Sequence, residues 1–242
     1  MNIADHFFFG VLVVAVPIYS GLRVFPRLQR VMAAGQAGIR LGLYQTVILQ
    51  GWLASGLLLF SWFWLGRSSQ DLGLVGSAGW HFWTGLGVAL AGALALDAIH
   101  RRLRSTEKGR DWLRSQIKPF SAILPHTREE RNRFFLLAVT AGVWEEILYR
   151  GFLTWYLSGL FGLWLTVLLS SALFGLAHLY QGWKGVLRTG AAGVVLSGLY
   201  LLTGSLWAPM LLHALVNIIG GLVAFDLLHR SGAEVAAPPA AG

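Results

Sequence analysis

Long runs of apolar residues alternate with short polar segments along this chain, and most of the runs are long enough to form membrane-spanning helices. A bilayer core about 30 Å thick needs about 20 apolar residues in a helix. The predicted spans cover residues 7–22, 41–65, 81–99, 134–157, 163–180, 186–202 and 206–228. The pattern therefore predicts an all-α fold, a polytopic transmembrane helix bundle of about seven spans.

The segment between the third and fourth spans, residues 101–133, is the most basic part of the chain. It holds ten Lys or Arg and four Asp or Glu. Apolar residues such as Trp112 and Ile117 lie among the bases, which indicates an extra amphipathic helix at the membrane interface. Thr127 followed by Glu129 is typical of a capped helix start, so we expect the fourth helix to begin near Thr127.

The composition agrees with a membrane protein. Of the 242 residues, 55% are hydrophobic and 12% are charged, whereas about 25% are charged in ordinary soluble domains. Mean hydropathy is +0.60. The chain has no cysteine, which excludes disulfides, thiolate metal sites and a cysteine nucleophile.

The net charge of +8 would suit a nucleic-acid partner, but most of the Lys and Arg lie in two connections between apolar spans. The positive-inside rule explains that distribution. We therefore expect no nucleic-acid partner, a lipid bilayer around the bundle, and residues 23–40 and 101–133 on the cytoplasmic side. The membrane would be of the bacterial cytoplasmic (inner) type.

Three ionisable residues, Glu145, Glu146 and Arg150, interrupt the fourth apolar run. Charge at bilayer depth is costly, so such groups face a protein interior or a water-filled cavity. Glu146 and Arg150 are four residues apart and share a helix face, whereas Glu145 is rotated by about 100 degrees. Two neighbouring carboxylates do not both ionise cheaply, which favours one as a general base. Alternatively, the three residues form a structural ion network.

Two other spans also carry polar side chains. Phe174 precedes His178 by one turn on the fifth span, and His213 precedes Asn217 by one turn on the seventh. A lone histidine in a helix is usually a hydrogen-bonded core group, but three polar motifs on three helices favour one shared site. Together they supply a carboxylate base, imidazoles that hold or activate water, and an amide donor for an oxyanion.

Such a site is typical of a hydrolase without a nucleophilic side chain. The chain contains no His-Glu-x-x-His zinc motif and no Gly-x-Gly-Asp aspartyl motif. Ser197 lacks the preceding glycine of a Gly-x-Ser-Gly serine site.

In order and spacing, these three motifs resemble those of the CAAX protease and bacteriocin-processing family, also called CPBP or Abi. The motif segments are 145–151, 174–178 and 213–217, and segments 124–131 and 203–209 are also similar. The likeness covers residues 124–220. It divides the chain into N-terminal helices with the basic loop (1–123), a catalytic helix bundle (124–230) and a flexible tail (231–242).

The resemblance implies an intramembrane endopeptidase, similar to the prenyl-protein-processing enzymes, with its site open to the cytoplasm. Glu145 and His178 would activate water, Glu146 and His213 would support them, and Asn217 would stabilise the oxyanion. The supporting residues would be Arg150, which orients the glutamates, and Phe174, which shapes a pocket wall. The substrate would be a peptide or lipidated protein.

Metal dependence is left open by these residues. Glu145, His178 and His213 could hold zinc with an open position, whereas the family is also described as glutamate-dependent and free of metal. We favour the glutamate mechanism, with no cofactor. Two alternatives to a peptidase are a non-catalytic relative acting in bacteriocin immunity or as a peptide-binding scaffold, and a proton-coupled transporter.

Overall fold

All regular secondary structure is helical in the part of the chain that this computed structural model describes, residues 1–33, 38–76 and 79–236. The predicted all-α fold class is therefore confirmed. The longer helices, in chain order, are α1 (Ile3–Met32), α2 (Ile39–Trp64), α3 (Trp80–Arg104), α4 (Glu107–Ile117), α5 (128–158), α6 (Leu163–Ala177), α7 (Trp183–Thr203) and α8 (Trp207–Ala236).

Five helices among the described residues are long and apolar enough to cross a membrane, namely α1, α2, α3, α7 and the 207–229 part of α8. The protein is thus a polytopic integral membrane protein. Two further predicted spans coincide with α5 and α6. Helix α6 is apolar but has only 15 residues, and α5 carries charges at its start and its centre.

Helix α4 lies at the position of the predicted amphipathic helix. Thr106 caps its N-terminus, because its side chain accepts a hydrogen bond from the Gly109 amide. Leu113 is buried and packs with Val223 of α8, whereas Trp112 is 52% exposed. One face of α4 is therefore docked on the bundle, and the other presents an aromatic side chain outward.

Helix α5 begins as its sequence predicted. The Thr127 side chain accepts from the Glu130 amide at 3.1 Å, and the Glu130 carboxylate accepts from the Thr127 amide at 3.1 Å. The Glu130 carboxylate also accepts from the His126 amide at 2.7 Å and from Arg40 at 3.2 Å. Tyr44 also donates to the carbonyl of Ile123 at 2.7 Å. These bonds attach α2 to the segment that leads into α5.

Helix α5 packs against α2 and α8. A glycine at each of the two contacts allows the helices to approach closely. A Cβ atom at Gly142 would lie 2.8 Å from the backbone nitrogen of Ala214 in α8. A Cβ atom at Gly51 would lie 2.7 Å from the Trp144 ring. Larger residues at these two positions would separate the helices that carry the polar motifs.

The C-terminal helix α8 continues through residues 231–236 of the predicted flexible tail. Residues 237–242 of that tail lie outside the described part of the chain. The predicted division of the chain at residues 123 and 230 stays a prediction.

A buried ion pair attaches the start of α1 to the rest of the bundle. Asp5, only 1% exposed, accepts two hydrogen bonds from Arg67, at 2.7 and 2.8 Å. The Arg67 guanidinium also lies 5.0 Å from the ring centre of Trp62 and 4.4 Å from that of Trp155. Arg67 therefore joins α1, the end of α2 and the end of α5 at one point.

We expect Asp5→Asn to destabilise the protein by about 3 kcal/mol, because breaking a buried pair leaves the cation without its counter-charge. Thermal unfolding of the purified protein in detergent measures the change. Asp111→Asn is the matched control, since Asp111 is 62% exposed in its pair with Arg114 and exposed pairs contribute about 0 to 1 kcal/mol. Equal thermal unfolding midpoints for the two variants would contradict a structural role for the ion pair of Asp5 and Arg67.

Candidate active site

The centre of the site is a fully buried ion pair on α5. Glu146 and Arg150 are both 0% exposed, and Nη1 of Arg150 donates to Oε1 of Glu146 at 2.9 Å. The four-residue spacing predicted this pair. Nη2 of Arg150 donates to the backbone carbonyl of Gly193 in α7 at 3.1 Å. Arg150 therefore connects α5 to a helix in which the sequence gave no sign of a functional residue.

The backbone of α5 changes geometry at this point. Residues Arg128–Glu146 are α-helical, Ile147–Leu153 are π-helical, and Thr154–Ser158 are α-helical again. A π-helical turn widens the helix and often occurs at functional sites. All seven residues of the π-helical segment are buried, so the altered turn that carries Arg150 is held on every side by packing.

Glu146 also binds a histidine from α8. Nδ1 of His213 lies 2.7 Å from Oε1 of Glu146, the same oxygen that accepts from Arg150. Because a carboxylate paired with arginine is an acceptor only, this ring nitrogen carries the proton. In the neutral imidazole, Nε2 of His213 is then the acceptor, and it lies 3.9 Å from Oε2 of Glu145.

His178 approaches Glu145 from the end of α6. The α-helix ends at Ala177, and Nδ1 of His178 lies 2.9 Å from the carbonyl oxygen of Phe174. A carbonyl only accepts hydrogen bonds, so Nδ1 carries the proton here as well. Nε2 of His178 is then an acceptor, 3.8 Å from Oε2 of Glu145.

Three acceptor atoms therefore converge on one small volume: Oε2 of Glu145 and the Nε2 atoms of His178 and His213. The distances of 3.8 and 3.9 Å are too long for direct hydrogen bonds. Oε2 of Glu145 is buried and has no hydrogen-bond partner among the described residues. A water molecule between them could donate hydrogen bonds to two of the three atoms at once.

The Phe174 ring forms the shared wall of the site. It is 2% exposed, and the Arg150 guanidinium lies 4.3 Å from its ring centre, a cation–π contact. The rings of His178 and His213 lie 4.9 and 5.7 Å from the same centre. Phe174 thus contacts a residue from each of the three motifs.

Asn217 lies one turn beyond His213 on α8 and is half-buried. Its side chain forms no hydrogen bond to the described residues, so the amide stays available as a donor. Two neighbours of the site were not predicted, namely Gly193 and Tyr180. Tyr180 has its ring centre 5.7 Å from that of His178, and its aromatic type two residues after the histidine was the available signal.

The donor set of Glu145, His178 and His213 has the chemistry of a zinc site, because imidazole and carboxylate are zinc ligands. Ligand atoms about 2.1 Å from one tetrahedral ion lie about 3.4 Å apart. The separations here are 3.8 and 3.9 Å. No group of three such residues in the described ranges is close enough to hold a metal ion as arranged.

A cluster of two carboxylates and two imidazoles therefore lies inside a membrane helix bundle, on α5, α8 and the end of α6. Residues 130–219 match the model of a protein family described as type II CAAX prenyl endopeptidase Rce1-like. The match supports the predicted family over this region, which contains all three motifs. Comparison with curated proteins and with solved structures gave no match.

The different partners of the two glutamates predict effects of different size on stability. Glu146→Gln should destabilise the protein by about 3 kcal/mol, because Arg150 and His213 lose the anion that both contact. Glu145→Gln should change stability by less than about 1 kcal/mol, since no direct hydrogen bond is lost. Thermal unfolding in detergent compares this matched pair of isosteric variants. A larger loss for Glu145→Gln would contradict the different roles assigned to the two residues.

Proposed function

We propose that this protein is an intramembrane endopeptidase that hydrolyses peptide bonds of membrane-associated proteins or peptides, CAAX-type prenylated proteins among them, with water activated by Glu145 and His178. The observation that supports the proposal most is the unpartnered Oε2 of Glu145, which faces the Nε2 atoms of His178 and His213 at 3.8 and 3.9 Å. The family match of residues 130–219 supplies the reaction class.

In this mechanism a water molecule occupies the volume between the three acceptor atoms. Glu145 takes a proton from the water while the Nε2 atom of His178 accepts its other hydrogen, and the oxygen attacks the carbonyl carbon of the substrate. The tetrahedral oxyanion accepts a hydrogen bond from the amide of Asn217. The proton held by Glu145 then passes to the leaving amine as the C–N bond breaks.

The remaining polar residues hold these groups in position. Glu146 fixes the ring of His213 and its proton on Nδ1, through the 2.7 Å contact. Arg150 balances the charge of Glu146, so that only the neighbouring carboxylate, Glu145, is free to exchange a proton. Without Arg150, two carboxylates in adjacent positions would repel each other in a poor solvent for charge.

The substrate would reach the site from the cytoplasmic side. By the positive-inside rule, the basic segment 101–133 lies in the cytoplasm, and α5 enters the membrane directly from it. The membrane would be a cytoplasmic membrane of the bacterial type.

Glu145→Ala and His178→Ala should each lower the rate of cleavage at least about 100-fold, because each removes a group that acts on the attacking water. The assay uses the purified full chain in lipid vesicles with a farnesylated CAAX reporter peptide. Glu129→Ala is the control, since Glu129 is exposed at the start of α5 and should retain full activity.

Turnover retained in either variant would overturn this mechanism. If the wild-type protein binds the reporter peptide but leaves it uncut, and membranes containing it yield no peptide that membranes with Glu145→Ala lack, the peptidase proposal fails. The protein would then be a peptide-binding relative of the bacteriocin-immunity type.

Strong chelators should leave the cleavage rate unchanged within about twofold, because the proposed mechanism uses a carboxylate and an imidazole in place of a metal-bound water. The measurement is the initial rate after dialysis against 1,10-phenanthroline or EDTA. A zinc peptidase treated in parallel provides the positive control. Loss of activity that added zinc restores would show that Glu145, His178 and His213 hold a metal.

A further inference from the structure

The Arg150 guanidinium has few acceptors for a cation that is 0% exposed. Its Nη1 atom donates to Glu146 and its Nη2 atom to the carbonyl of Gly193. Its Nε atom has no partner within the described ranges. The face of Phe174, 4.3 Å away, is its other electrostatic contact. The Gly193 carbonyl is therefore one of two hydrogen-bond acceptors that hold the side chain.

A side chain at position 193 would crowd this bond. A Cβ atom at position 193 would lie 3.1 Å from Cα and Cβ of Ser171 and 3.2 Å from Nη2 of Arg150. Gly193 faces α6 and the guanidinium at the same time, so the missing side chain allows α7 to approach both. A methyl group here would compete with Arg150 for the space that it occupies.

The bond connects α7 to the reacting groups through a short series of contacts. The Gly193 carbonyl accepts a hydrogen bond from Arg150, and Arg150 donates to Glu146 at 2.9 Å. The Glu146 carboxylate lies 2.7 Å from Nδ1 of His213. His213 in turn faces Oε2 of Glu145. A displacement of Arg150 would therefore be transmitted to His213, whose ring borders the volume assigned to the attacking water.

We propose that Gly193 is a positioning residue of the peptidase site, and that α7 is a fourth helix of this site, acting through its backbone carbonyl on Arg150. This inference rests on the proposed function. Gly193 itself touches no reacting atom. Its contribution is to fix the Arg150 guanidinium, and with it the Glu146 carboxylate and the His213 ring.

Gly193→Ala should lower kcat about tenfold with KM nearly unchanged, because a shift of 1 Å in a catalytic group can cost about 100-fold and the shift required here is a few tenths of an ångström. Gly190→Ala and Gly198→Ala are matched controls on the same helix. A Cβ atom would lie 3.5 Å from its nearest neighbour at position 190 and would meet nothing within 4 Å at position 198. Both controls should retain wild-type kcat.

A double-mutant cycle separates positioning from general packing. If Gly193 acts through Arg150, then Gly193→Ala should change kcat by less than about twofold in an Arg150→Ala background. Equal tenfold losses with and without Arg150 would overturn the proposal, since the methyl group would then act through the contact between α6 and α7 alone.

The same cycle is measured by thermal unfolding, which does not depend on activity. Non-additive shifts of the unfolding midpoint are expected for Gly193→Ala and Arg150→Ala, and additive shifts would overturn the proposal. A wild-type protein that cuts no peptide would sink the proposed function. Non-additive midpoints in that protein would still support the assignment of Gly193 as the residue that positions Arg150.

Discussion

The structure depends on the need to neutralise the buried cation of Arg150. At bilayer depth an unpaired charge is too costly to persist, so a guanidinium at 0% exposure must have its counter-charge and acceptors provided by the protein. Glu146 provides the charge, Gly193 the second acceptor and Phe174 an aromatic face. These partners come from α5, α7 and α6, so one side chain requires three helices to meet at one place.

The same constraint makes two adjacent glutamates chemically different. Glu146 is fully buried, and its Oε1 atom accepts from both Arg150 and His213. The Glu145 side chain is 13% exposed and has no hydrogen bond at Oε2. One carboxylate therefore binds both Arg150 and His213, and its neighbour on the next helix face keeps an oxygen atom without a hydrogen bond among the described residues. The difference follows from helix geometry, since of the two glutamates only Glu146, four positions before Arg150, lies on the same helix face.

Side-chain spacing along a helix could be predicted from the sequence, but contacts made by the backbone could not. The pairing of Glu146 with Arg150 and the Thr127 cap each follow from residue types three or four positions apart. The contact of Arg150 with the Gly193 carbonyl could not be predicted from residue type, because every residue has a backbone carbonyl group. The π-helical turn at Ile147–Leu153 and the pairing of Asp5 with Arg67 depend on tertiary packing between distant parts of the chain.

The site residues of the three motif helices lie close together, although they occupy different positions along their helices. Counted from the turn at 159–162, Glu145 lies about 20 Å along α5 and His178 about 22 Å along α6, at 1.5 Å per residue. His213 lies only about 9 Å from the start of α8. The turn before α8 is buried. The Ser205 hydroxyl donates to the carbonyl of Val75, and the Leu206 amide donates to the carbonyl of Gly73. Helix α8 therefore follows a buried turn that is hydrogen-bonded to Gly73 and Val75, two residues outside the matched family region.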